Sequence, residues 1–146
     1  MKSPVTFLLD TSTFSYIATG RSAKARRLYE EVDPADTVAI STITEAEVYY
    51  GLAKNPEATR WRVGVEALLA TVTILPWDSS AAREYGTMRA AMMAKGKALS
   101  TMDLLIAAHA ACVGAVLVTG DQAFQHAEGL YASVNWADDV IARPVG

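Results

Sequence analysis

Four acidic residues, Asp10, Glu47, Asp103 and Asp121, have settings that suit chemistry. Asp10 ends the run Val5-Thr6-Phe7-Leu8-Leu9, and Asp121 follows Val116-Leu117-Val118-Thr119-Gly120. Glu47 stands among Ile43, Tyr50 and Gly51 at helical spacing, and Asp103 is the one charge in Met102 to Cys112. Carboxylates brought to one place repel one another unless a proton or a cation intervenes. An oxygen-only set, with no suitably placed histidine or cysteine, selects a hard divalent ion, Mg2+ or Mn2+. Such a site activates water and neutralises charge developing on a phosphoryl group, with one ion or two. The chemistry these residues predict is metal-assisted phosphodiester hydrolysis. No Ser-His-Asp arrangement, glycine-rich phosphate loop or dinucleotide fingerprint accompanies them.

Each acid also has a simpler explanation. Asp10 is a good helix N-cap. Thr42 with Glu45 has capping-box spacing, which leaves Glu47 free, and Ser100 with Asp103 has the same spacing. Only convergence of all four would favour the metal.

The elements that must position them alternate. Val5–Leu9, Thr37–Ser41, Val72–Leu75 and Val116–Val118 are short apolar runs that read as buried strands, with Tyr131–Val134 as a further edge strand. Between them lie amphipathic stretches: Phe14–Ala18 ending at Gly20, Arg21–Val32 halted by Asp33-Pro34, Ile43–Ala53, Glu57–Thr71 and Ser80–Ala94. The stretch from Ser100 or Thr101 to Cys112 is apolar all round and reads as a central buried helix. The alternation predicts an α/β fold, a sandwich with a mainly parallel sheet of four to five strands. In open sheets of this kind ligands bind at the carboxyl ends of the strands. Asp10 and Asp121 fall at two such ends, and Glu47 and Asp103 begin helices near them.

The 146 residues are 51% apolar and 20% charged, which suits one folded domain spanning 1–146. Cys112 is the sole cysteine, in an apolar run that predicts burial, so an internal disulfide is excluded and a reducing, cytoplasmic setting is expected. The amino terminus lacks signal-peptide features, and Leu104–Gly120 is too short and mixed to span a membrane. A net charge of −3 excludes a generally basic nucleic-acid surface but not local phosphate contacts. Arg21, Lys24, Arg26 and Arg27 on one helix face, with Lys95 and Lys97 near the third acid, are the candidates for RNA contact. His109 and His126 read as packing and surface histidines.

Leu8-Leu9-Asp10-Thr11-Ser12, Ser41 to Gly51, Met102 to Ala110 and Val118-Thr119-Gly120-Asp121-Gln122-Ala123-Phe124 resemble, in order and spacing, the motifs of PIN domains. The likeness is greatest to VapC-type toxins of toxin–antitoxin pairs. It implies an Mg2+- or Mn2+-dependent endoribonuclease with Asp10, Glu47, Asp103 and Asp121 around the metal and Ser12 and Thr119 in support. It further implies a homodimer inhibited by a VapB-type antitoxin. The sequence departs from the pattern at Gly120, where the family often has Asn or Asp, and at Ser100-Thr101-Met102, which replaces a Gly- or Pro-rich approach. Two alternatives remain: another metal-dependent phosphohydrolase on the same fold, and a non-catalytic interaction module. A phosphatase with an aspartyl nucleophile would want an acid where Ser12 stands, and retention of four acids opposes the second.

Overall fold

The apolar runs form five strands: β1 (Thr6–Leu9), β2 (Thr37–Ser41), β3 (Thr73–Leu75), β4 (Val116–Val118) and β5 (Ala132–Val134). The structure, a computed structural model, describes residues 3–97, 99–125, 127 and 129–140. All neighbouring strands pair in parallel, in the order β3-β2-β1-β4-β5. Phe7 is in register with Val38 on one side and Val116 on the other.

Parallel strands need crossovers, and helices supply them: α1 (Thr11–Thr19), α2 (Ala23–Glu30), α3 (Thr42–Lys54), α4 (Thr59–Leu69), α5 (Ser79–Ala94) and α6 (Thr101–Val113). Side chains alternate across a strand, so neighbouring residues serve opposite cores. Leu9, Ile40 and Val118 face a cluster with Phe14 and Ile17 of α1, Val48 of α3 and Val65 of α4. Leu8, Ala39 and Leu117 face the other, with Met88 and Met92 of α5 and Ile106 and Ala107 of α6. Each fully buried side chain of this size contributes about 1.5–3 kcal/mol, so both layers are strongly held. This is the expected α/β sandwich, with five strands and a wholly parallel sheet.

Local chemistry sets the element ends. Gly20 (φ 74°) and Gly114 (φ 68°) close α1 and α6 in the left-handed conformation. Gly64 lets α4 cross α1 closely, because a Cβ there would stand 2.3 Å from the Ala18 carbonyl oxygen. Trp136, after β5, is buried with its ring centroid 5.2 Å from that of Phe7.

The structure corrects several local expectations. Thr42 does not cap α3. Ser41 is the N-cap and accepts from the Ile43 N–H at 3.1 Å, while the Thr42 hydroxyl accepts from the Trp77 N–H. Asp10 does cap α1, as its residue type allows. The fourth helix begins at Thr59, not Glu57, with no side-chain cap at Ala58. Cys112 is half-buried rather than buried. Burial, with the negative charges of Asp78 and Glu84, raises its thiol pKa, which disfavours the thiolate a nucleophile would need. His109 is buried as a packing histidine, its Nδ1 2.8 Å from the Ser41 hydroxyl. His126 lies outside the described residues.

Candidate active site

The strand order contains one reversal. From β1 the chain proceeds outward through β2 to β3, then returns to place β4 on the other side of β1. The carboxyl ends of β1 and β4 therefore flank the switch point, where crossovers diverge and leave a crevice. Asp10 directly follows β1, Thr119 directly follows β4, and Asp121 stands two residues beyond Thr119. The first turn of α6 brings Asp103 to the same crevice. Asp10, Asp103 and Asp121 line one cleft of about 580 Å³.

Asp10 shows that capping and a ligand role are compatible. Its Oδ1 accepts from the Thr13 N–H at 2.8 Å, which starts α1. Its own N–H donates to the Val118 carbonyl, extending the β1–β4 pairing to the cleft rim. Thr119 stands between two acids: its hydroxyl accepts from the Asp121 N–H at 3.1 Å and favours the ionised form of Asp10. Burial holds the Asp10 carboxyl above the ordinary carboxylate range. Bonds from Thr13 and Thr119 oppose that effect, and the negative charge of Asp103 adds to it.

Asp121 caps a single 3-10 turn, Gln122–Phe124, through Oδ1 and the Ala123 N–H at 3.0 Å. Asp103 gives its backbone N–H to the Ser100 hydroxyl at 3.1 Å, so the cap uses its main chain and leaves its carboxylate available. Both α1 and α6 also direct their positive ends at this crevice, an electrostatic setting that favours carboxylates.

Glu47 is placed differently. It does not line the cleft, and its Oε1 accepts from the Thr11 hydroxyl at 2.5 Å. Thr11 adjoins Asp10, so Glu47 stands one side chain behind the first cleft acid. Sequence reasoning had assigned Thr11 and Thr13 no part here. Their hydroxyls follow directly on the first acid, which was the available signal. Ser12, expected to support the acids, lines the cleft exposed and makes no side-chain hydrogen bond among the described residues.

The basic candidates separate sharply. Arg21 lines the cleft, its guanidinium carbon 5.5 Å from the centroid of the Tyr16 ring, and makes no ion pair among the described residues. Lys24 pairs with Asp138 at 2.7 Å. Arg26 turns to the C-terminal end of α1, donating through Nε and Nη2 to the Ile17 carbonyl at 3.2 and 3.0 Å. Arg27, Lys95 and Lys97 are exposed and outside the cleft. The expected continuous basic face is thus reduced to Arg21 at the site.

The donors suit a hard ion. Among the described residues no three acidic, histidine or cysteine side chains already stand in an arrangement that would hold a metal. Mg2+, however, commonly keeps most of its water and takes one or two carboxylates together with substrate phosphates. Asp10 and Asp103 line the same cleft, and after burial the negative charge of Asp103 adds to the rise in the Asp10 pKa, a setting that a cation would relieve.

A PIN domain family model matches residues 7–130, which contain all four acids. This chain belongs to the PIN-domain family. Among its relatives, Ribonuclease VapC2 of Haemophilus influenzae is 30% identical over 115 residues, covering 79% of this chain and 86% of that protein. The tRNA(fMet)-specific endonuclease VapC of Shigella flexneri is 27% identical over 125 residues, covering 85% and 93%. The crystal structure of VapBC2 from Rickettsia felis, bound to a DNA fragment from their promoter, contains a chain that superposes with a TM-score of 0.82. That match is 27% identical and covers 90% of this PIN domain and 99% of that chain.

Proposed function

We propose that this PIN domain is an Mg2+- or Mn2+-dependent endoribonuclease, the toxin of a type II toxin–antitoxin pair, held in check by a VapB-type antitoxin. The carrying observation is the gathering of Asp10, Asp103 and Asp121 around one cleft at the β1–β4 switch point. The names of the relatives support RNA as substrate and the antitoxin as partner.

In this reading Asp10 and Asp103 hold the cation, with Asp121 and Glu47 completing the acidic set. A bound divalent ion neutralises charge on the phosphoryl oxygens and acidifies the attacking water. Thr119 positions Asp121, because its hydroxyl accepts from the Asp121 N–H at the cleft. Thr11 orients the Glu47 carboxylate toward α1, leaving Oε2 to hold a water or its proton. Arg21, stacked against Tyr16 at the same cleft, contacts the phosphate backbone of the RNA. Substrate and antitoxin compete for one surface, as expected of a nuclease controlled by occlusion, and the toxin acts as a homodimer in the cytoplasm.

Purified protein incubated with structured and single-stranded RNAs should cleave with Mg2+ or Mn2+ and stop when a chelator is added. Absence of metal-dependent cleavage across a broad RNA panel would overturn the proposal.

A further inference from the structure

Beside its carboxylates the cleft is also lined by Gly120, Gln122 and Asn135, which brings two neutral amides to it. Asn135 follows β5 and is held from both sides. The Val134 carbonyl accepts from the Thr119 N–H at 2.9 Å, and the next residue, Trp136, is buried against Phe7. The amide itself is oriented, because Oδ1 accepts from the Ala137 N–H at 2.9 Å. A backbone N–H can only donate, so the oxygen is identified and Nδ2 must be the end left for another partner. A Cβ built at Gly120 would meet both terminal atoms of this amide at 3.8 Å. That is ordinary van der Waals distance, so the bare Gly120 backbone and the Asn135 amide stand side by side on the cleft wall.

We infer that Gly120, Gln122 and Asn135 form a nucleobase subsite, and that Asn135 Nδ2 reads the edge of the base beside the scissile phosphate. The inference rests on the ribonuclease reading above. Amide side chains carry a donor and an acceptor in one plane, matching the edges of unpaired bases. A positively charged group would bind any phosphate equally and carry no sequence information. Arg21 has that role in the same cleft, so backbone holding and base reading fall to different residues. A flat base can lie on the bare Gly120 backbone at the cleft wall with its edge toward the Asn135 amide. Gln122, exposed on the 3-10 turn that Asp121 caps, supplies the second amide.

The test uses Asn135→Ser and Gln122→Ala in the full chain. A serine can still accept from the Ala137 N–H in a turn but cannot extend a donor into the cleft. Both variants, with wild type, are incubated with Mn2+ and a pool of RNAs randomised around one cleavable position, and the cut ends are sequenced. Melting temperatures are recorded in parallel. The expected result is a nucleotide preference at one position in the wild type that falls about tenfold in Asn135→Ser, in line with one lost base contact. Gln122→Ala should weaken it less, and both should melt like wild type. Unchanged preference in a folded Asn135→Ser protein, or a wild type that cuts every sequence alike, overturns the subsite while leaving the nuclease reading intact. Should Asn135→Ser melt early, Gln122→Ala alone decides: an unchanged preference overturns the subsite, and a reduced one supports it. A wild type that cuts no RNA in the pool removes both readings.

Discussion

Two groups of charge, the acids at the strand ends and the bases of α2, meet opposite fates in this fold. Asp10 and Asp121 both do structural work as caps, yet each commits only Oδ1 to a backbone N–H. A carboxylate has two oxygens and about four acceptor positions, so a cap leaves most of its capacity unspent. Arg26 commits two donors to the Ile17 carbonyl, and Nη2 also lies 3.4 Å from the Ala18 carbonyl. That guanidinium completes a helix end and has turned from the site. A capping carboxylate thus keeps oxygens free for a cation, whereas an arginine bound to carbonyls loses its freedom to meet a phosphate.

The largest test of this contrast removes an acid while keeping its cap. Asn is as good an N-cap as Asp. Asp10→Asn and Asp103→Asn should therefore remain folded while metal-dependent RNA cleavage falls by about 100-fold or more. In chelator, Asp10→Asn should melt slightly higher at neutral pH. Folding raises the pKa of Asp10 above its ordinary 3.8, so its ionised form costs stability once the pH exceeds that value. The gain should vanish as the pH is lowered and the wild-type carboxyl is protonated. Loss of fold in either variant would mean that the structural duty outweighs the ligand one.

Arg26→Ala should lower stability by about 1–2 kcal/mol in denaturant unfolding, since the Ile17 carbonyl loses a charged donor, without altering RNA affinity. Arg21→Ala should do the reverse. It should melt like wild type but bind RNA more weakly, with the slope of log affinity against log salt reduced by about one. Equal effects of the two on RNA binding would erase the distinction between them. A smaller change is expected from Lys24→Ala, whose exposed pair with Asp138 is worth at most about 1 kcal/mol. His109 provides the finest comparison. Burial lowers its pKa beneath 6.5, so the unfolded chain takes up a proton that the folded chain resists. Stability should be complete above that value and decline as the pH falls through it, and His109→Gln should show a shallower decline in melts across that range.

Much of this was readable along the chain. The strands announced themselves by short apolar runs, and Asp10 and Asp121 by the abrupt acid behind each. Gly20 and Gly114 marked helix ends through glycine's tolerance of positive φ. What could not be read locally was decided by distant partners. Ser41-Thr42 allows two cap registers, and the choice follows from Trp77 and His109, which take up the two hydroxyls from elsewhere in the chain. Arg21 and Arg26 stand in one basic stretch of sequence, but α2 begins only at Ala23, so Arg21 precedes the helix at the cleft while Arg26 turns to the end of α1. Glu47 was legible as a candidate, but its position behind Thr11 depends on how α3 packs beside α1.

The wall of the cleft joins distant parts of the chain. Asp139 accepts from the Ser22 hydroxyl across 117 residues of chain and from the Lys24 N–H, while its neighbours Ala137 and Asp138 complete the crevice. The Ser22 hydroxyl holds the Asp139 carboxyl below the usual carboxylate range, as expected if that bond favours the ionised form. The cleft that holds Asp10, near one end of this fold, is therefore closed only when residues 137–140 have packed back onto Ser22 and Lys24.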